Sequence, residues 1–214
     1  MMKIDLSGQW QVKLDAEKQE IMPQAYPETM TLPGTTSAAG LGMPNPAKET
    51  GCLTDAYRFE GAAWFMRTFT AGDWTGEQTM LTLERTRKPT VYLDGRPIGH
   101  QESLCTPHRY FLPPVHAGEH TLVIRVDNTD YPTRGGHLTS PDTQSNWNGI
   151  TGEISLTVAH TLLTDLTVRP DLRRGCLRVH GHIIGAPDGA AGADGASAAV
   201  PPGRAGRGMP AQGQ

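Results

Sequence analysis

The residues best equipped for chemistry gather in two polar stretches. The first, Asp127 to Gly152, holds Asp142, Gln144, Asn146, Trp147 and Asn148 in one short span. A carboxylate, primary amides and an indole there offer donors, acceptors and one flat apolar ring. The second, Leu53 to Gly61, mixes the aromatics Tyr57 and Phe59 with the ionic Arg58 and Glu60. Such a mixture suits a sugar, whose ring turns a C–H face to an aromatic while its hydroxyls need paired donors and acceptors. A plainer reading stands beside each. Tyr57 and Phe59 can anchor the loop to the core while Arg58 pairs with a neighbouring carboxylate. Trp147 can plug the base of its loop, and Asn148-Gly149 can be a simple turn.

Other chemistries find less support. Cys52, Cys105 and Cys176 are odd in number and far apart, which argues against a disulfide framework and for a reducing compartment. No CxxC or HxxxH spacing is expected to invite zinc, and no carboxylate cluster argues for a structural metal; no cofactor is expected. His100, His108, His116 and His120 read as isolated surface histidines. Arg67, Arg85, Arg87 and Lys88 read as solvated or edge-protecting charges at strand ends. A net charge of −3 gives no reason to expect nucleic acid or an anionic membrane. The opening MMKIDLSGQW has no apolar leader region, and no run approaches a membrane span. A cytoplasmic location is therefore expected.

The elements that would position the polar stretches are strands. Ala63–Thr70, Met80–Glu84, Thr90–Asp94 and Thr121–Val126 alternate apolar and polar residues or run continuously apolar, with Gly, Pro, Asn and Asp between them. Asp94-Gly95 supplies residues that tolerate positive φ, so a tight hairpin should form there, with Pro97 and Ile98 on the return. Ile4–Leu14 reads as an edge strand, and Met30–Thr35, Thr106–Leu112 and Glu153–Val158 as further strands. No helical period of comparable length appears, so the fold class is all-β, a sandwich.

Trp64 to Phe69, Thr90-Val-Tyr-Leu-Asp-Gly-Arg-Pro-Ile-Gly99, Gly118 to Asn128 and Trp147-Asn148-Gly149-Ile150 follow in one order. That order resembles the N-terminal sugar-binding domain of family 2 glycoside hydrolases, the β-galactosidase and β-glucuronidase group, over roughly residues 4 to 185. The LSGxW opening resembles it too. The resemblance implies a galactose-binding-like jelly-roll over residues 1–160. It also implies that the loop before Trp147-Asn-Gly-Ile reaches the mouth of a catalytic barrel, where a carboxylate helps hold the sugar. Asp142 is the counterpart here, with Thr143 one residue away. Gln144, Asn146 and Asn148 would add amide hydrogen bonds and Trp147 a stacking surface.

Residues 161–185 read as two strands and resemble the start of an immunoglobulin-like domain, left incomplete. Residues 186–214 are largely Ala, Gly and Pro and are expected to be disordered. Retaining hydrolysis needs two carboxylates about 5 Å apart on a barrel, and this chain has no βα alternation to supply one. The expected function is a sugar-binding fragment of a family 2 glycosidase. Its expected partners are a β-linked glycoside and the missing catalytic barrel. Two alternatives remain: a free-standing lectin-like protein, or an assembly fragment whose unpaired strands promote self-association.

Overall fold

The computed structural model describes residues 1–46, 50–133, 136–140 and 143–185. Among the described residues there is no helix. The chain divides into two compact units, Met1–Ala159 and His160–Gln214.

The first unit is a sandwich of two antiparallel sheets. In chain order its strands are β1 (Met2–Asp5), β2 (Gly8–Asp15), β3 (Glu28–Leu32), β4 (Gly34–Thr35), β5 (Met43–Pro44), β6 (Tyr57–Arg58), β7 (Ala62–Ala71), β8 (Gln78–Leu83), β9 (Lys88–Leu93), β10 (Arg96–His100), β11 (His108–Phe111), β12 (Gly118–Asp127), β13 (Gly149–Ile150) and β14 (Ile154–Ala159). One sheet runs β10-β9-β12-β7-β2-β3 and the other β1-β14-β8-β11. The all-β class expected from alternation is the class observed.

Period-two patterning explains the core. Leu122, Ile124 and Val126 of β12, with Phe65 of β7 and Trp10 and Val12 of β2, form one wall. Leu81 and Leu83 of β8 and Ile154, Leu156 and Val158 of β14 form the other. The Asp94-Gly95 turn joins β9 to β10 with both residues at positive φ, 49° and 77°, as a two-residue hairpin of the right twist requires.

Two expectations need correction. Ile4–Leu14 is not one edge strand. It breaks at Leu6-Ser7 into β1, at the edge of the smaller sheet, and β2, which lies between β7 and β3 in the larger. The break is held by polar bonds: Asp5 Oδ1 accepts from Ser7 N at 2.8 Å and from Ser7 Oγ at 2.6 Å. Arg67 Nη1 donates to the carbonyls of Leu6 and Ser7, both at 2.7 Å.

The basic residues and histidines are also not uniformly solvated. Arg87 and Lys88 are 3% and 6% exposed, and His108 is fully covered. Lys88 Nζ and Arg125 Nη2 flank Asp127 Oδ2 at 4.0 and 3.6 Å, so buried charge is compensated locally. His108 sits on β11 with Nδ1 3.2 Å from Gln101 Oε1, and burial lowers its pKa from the usual histidine value.

The second unit, described by itself, is an antiparallel hairpin of β15 (Leu162–Asp171) and β16 (Cys176–Ile184). The expected disordered tail, 186–214, lies outside the described residues.

Candidate functional site

Three backbone segments meet at one end of the sandwich and fix the base of the polar loop. β13 pairs with β4, Gly149 opposite Thr35 and Ile150 opposite Gly34. Thr86 bridges to Ile150, and its Oγ1 donates to Gly149 O at 2.8 Å. Thr36 N donates to Asn148 O at 2.9 Å. The approach is so close that only glycine fits at 149: a Cβ there would stand 2.3 Å from Gly34 O, and its φ is 133°. Asn148-Gly149 is therefore a strand anchor and not a turn.

Beneath the loop two asparagines replace apolar packing. Asn128 Oδ1 accepts from Gly61 N at 2.9 Å, and its Nδ2 donates to Phe59 O at 2.8 Å and Asn146 O at 2.9 Å. Asn148 is fully buried, its Nδ2 donating to Val126 O at 3.0 Å and Gly61 O at 3.3 Å. These amides tie the loop before β7, the end of β12 and the polar loop into one knot.

Above them Arg87, just ahead of β9, carries the loop. Its Nη1 donates to Leu138 O at 2.7 Å, its Nη2 to Ser145 O at 3.2 Å and its Nε to Trp147 O at 3.4 Å. The guanidinium lies 4.2 Å from the Trp147 ring centre and 5.5 Å from that of Tyr131, within cation–π range of both. Burial lowers the Arg87 pKa, while Tyr131 and Asp55 act in the opposite direction; a guanidinium remains a cation under these conditions. Burial likewise pushes the Tyr131 phenol up to about 12, so it is a neutral donor, and it donates to Asn146 Oδ1 at 2.7 Å.

A cleft of about 750 Å³ opens beside this cluster, lined by Thr35, Asp55, Glu84, Arg85, Arg87, Gln144, Ser145 and Trp147 among others. Smaller hollows of about 370 and 260 Å³ flank it and share Arg58, Glu60, Gln144, Ser145 and Asn146. Ser145 Oγ donates to Asp55 Oδ1 at 2.9 Å, and Trp147 Nε1 donates to Gln144 Oε1 at 3.2 Å. The cleft thus presents the carboxylates of Asp55 and Glu84, the Gln144 amide and the Trp147 ring around the Arg87 cation, with Tyr131 and Asn146 in the adjoining hollow.

Of the residues singled out by sequence, Gln144, Asn146, Trp147 and Arg58 come together here. Trp147 is half-buried and is a cleft wall, not a core plug. Arg58 is ion-paired with Glu60 at 2.7 Å. Asn148 lies below the cleft floor. Tyr57 pairs with Pro44 in the β5–β6 ribbon, and its ring lies beside Gly40. Asp142 lies outside the described residues.

Arg87, Asp55, Tyr131 and Asn128 escaped the sequence reading. Arg87 precedes an ordinary strand, and the return of Leu138, Ser145 and Trp147 over it creates its burial. His116 and His120 do stand at HxxxH spacing, but His120 Nε2 faces the His116 carbonyl at 2.8 Å. Among the described residues no group of three metal-ligating side chains forms, and no helix is long and apolar enough to cross a membrane.

No known protein-family profile matches the chain, and no curated protein matches it in sequence. Solved structures do match in shape. The β-glucuronidase of an uncultured Clostridium sp. aligns over 86% of this chain with 18% identity and a TM-score of 0.57. That of Faecalibacterium prausnitzii covers 95% at 16% identity and 0.60. A GH2 β-galacturonidase from Eisenbergiella tayi, bound to galacturonate, covers 85% at 20% identity and 0.54. This chain spans 33%, 41% and 29% of those proteins, respectively. What the likeness shows is the fold: a β-sandwich architecture shared with part of these glycosidases.

Proposed function

We propose that the chain is the sugar-contacting sandwich of a family 2 glycoside hydrolase, without hydrolytic activity of its own. The observation that carries this reading is the cleft at Arg87, where Trp147 supplies an aromatic face and Asp55, Gln144 and Ser145 supply polar groups. Aromatic faces and paired polar groups are what a pyranose needs. The shared fold with glucuronidases and a galacturonidase supports the same assignment, as does the order of strand motifs along the chain.

A site of this kind is one half of a pocket, open on the side where a barrel would close it, and half a pocket binds weakly. Retaining hydrolysis requires two carboxylates about 5 Å apart acting on one glycosidic bond, and in this reading a catalytic barrel supplies them. In this reading β15 and β16 open an immunoglobulin-like domain, and Asp142 adds a carboxylate to the sugar site. An odd number of widely spaced cysteines fits a cytoplasmic chain.

Isothermal titration with methyl β-glycosides, run beside an aryl β-glycoside hydrolysis assay, tests this. The expected result is saturable binding with a Kd near about 1 mM or weaker and no turnover. Turnover abolished by Asp142→Ala would overturn the non-catalytic assignment, and absence of binding to every β-glycoside tried would overturn the site.

A further inference from the structure

Leu104, Cys105, Thr106 and Pro107, on the connection between β10 and β11, form part of the cleft wall. Little apolar burial holds this connection, since Cys105, Thr106 and Pro107 are exposed. Within it Ser103 Oγ meets Thr106 Oγ1 at 2.6 Å and accepts from Thr106 N at 3.2 Å and Cys105 N at 3.4 Å. Its base is pinned by a buried ring. His108, the first residue of β11, is fully covered, and its Nδ1 lies 3.2 Å from Gln101 Oε1. The Gln101 amide is oriented from its other end, where Nε2 donates to Arg109 O at 2.7 Å; a flipped amide would set two acceptors against each other. Oε1 therefore faces the ring and accepts the proton on Nδ1. In the neutral ring Nε2 is then bare, and it has no hydrogen-bond partner among the described residues.

The surroundings do not welcome a second proton. Opposite His108 on β8 stands Leu83, with Ile154 of β14 beyond it. Among the described residues the histidines in ion pairs are His100, with Glu102, and His120, with Asp94; His108 has no carboxylate. Around Thr86, the charged Glu84, Arg85 and Arg87 line the cleft, and Lys88 is turned to Asp127 and the Asp130 carbonyl. Arg109, next on β11, is exposed. Burial acts most strongly against charge on the ring, the carbonyls of Thr86 and Ser103 favour it, and His100 opposes it; the net is a pKa below the ordinary histidine value.

We propose that neutral His108 is a latch that holds the Leu104–Pro107 wall of the cleft, and that protonation of its ring releases that wall. A proton taken from solvent at Nε2 leaves a cation without a carboxylate in a dry site. The ring gains by moving into water, and residues 101–107 lose the bond that ties their start to β11. The sign follows from linkage. A ring exposed in the open loop titrates near about 6.5, and the buried ring titrates lower. Closure is therefore fully present above the exposed value. It is lost as pH falls below that value, by up to about tenfold per pH unit, until the buried value is passed. The latch does not depend on sugar binding.

Hydrogen exchange of the full chain from about pH 7.5 to about pH 5, corrected for the intrinsic rate, tests it. The amides of Gln101, Cys105 and Thr106 are bonded to Pro89 O and Ser103 Oγ. They should keep constant protection down to about pH 6.5 and then lose up to about tenfold per unit, while amides of β7 and β12 keep theirs. His108→Asn places an amide donor where Nδ1 stands and cannot charge, so its protection should not vary with pH. NMR of the native ring needs no variant, and at about pH 7 it should find a proton on Nδ1 and none on Nε2. Protection in the native chain that ignores pH would overturn the proposal. So would a pH-dependent loss that persists in His108→Asn, or a ring carrying its proton on Nε2 at neutral pH.

Discussion

The sandwich core and the loop across its mouth belong to one unit, yet different forces hold them. Between the sheets, Trp10, Phe65, Leu83, Ile124 and Leu156 are buried by non-directional apolar packing. At the mouth, Arg87, Asn128 and Tyr131 hold Leu138, Ser145 and Asn146 by directed hydrogen bonds to backbone carbonyls and an amide. Apolar packing tolerates shape but not cavities. A polar staple tolerates neither a lost donor nor a moved acceptor. The arrangement puts rigidity where the fold needs it and a defined, polar, water-accessible wall where a ligand would arrive.

Substitutions in the two regions should separate these forces. Phe65→Ala is expected to have the largest effect, about 4 kcal/mol of unfolding free energy, measured by urea denaturation. Below the transition the hydrogen exchange of residues 138–140 and 143–147 should stay native. Arg87→Met keeps side-chain length but removes the staple. It should cost about 1–2 kcal/mol globally, while amides of 138–140 and 143–147 lose exchange protection and core amides do not. Equal loss of protection in both regions would erase the distinction.

The smallest effect belongs to the far end of the sandwich. His120 sits between two acceptors, Asp94 Oδ2 at 2.7 Å from Nδ1 and His116 O at 2.8 Å from Nε2. Satisfying both requires a proton on each ring nitrogen. Its pKa is raised, first by the hydrogen bond to Asp94 and then by the His116 carbonyl. For Asp94, burial works upward, but the bond from His120 and that from Thr121 N carry its pKa below the usual aspartate value.

The signs follow from linkage. The histidine's contribution is fully present below its unfolded value of about 6.5 and is lost as pH rises through the higher folded value. The aspartate's is present above its unfolded value and is lost as pH falls through the lower folded one. Native protein should therefore exceed His120→Gln in stability by less than about 1 kcal/mol near pH 6, the gap closing toward alkaline and acid pH alike. A gap independent of pH would contradict this assignment.

The same contrast explains what could be read in advance. Strand alternation and the Asp94-Gly95 turn are local signals, and β7, β8, β9, β12 and β14 appear where those signals lie. The break in Ile4–Leu14 was not legible: which sheet each half joins depends on partners more than 45 residues away, β7 for β2 and β14 for β1. Arg87 and Asn128 are buried by a loop that returns late in the chain, so nothing in their own neighbourhoods marks them. Gln144, Asn146 and Trp147 were legible as a dense polar group because sequence places them together before folding does.

In the proposed function the loop wall, not the sandwich interior, meets carbohydrate. The direct measurement is an ¹⁵N-resolved titration of the indole N–H signals with a methyl β-glycoside. Trp147 Nε1, bonded to Gln144 Oε1 in the cleft wall, should shift with saturation. Trp10 Nε1, bonded to Leu6 O in the core, should stay fixed. A Trp147 signal that never moves, or shifts of equal size at both indoles, would contradict a carbohydrate site at the loop wall.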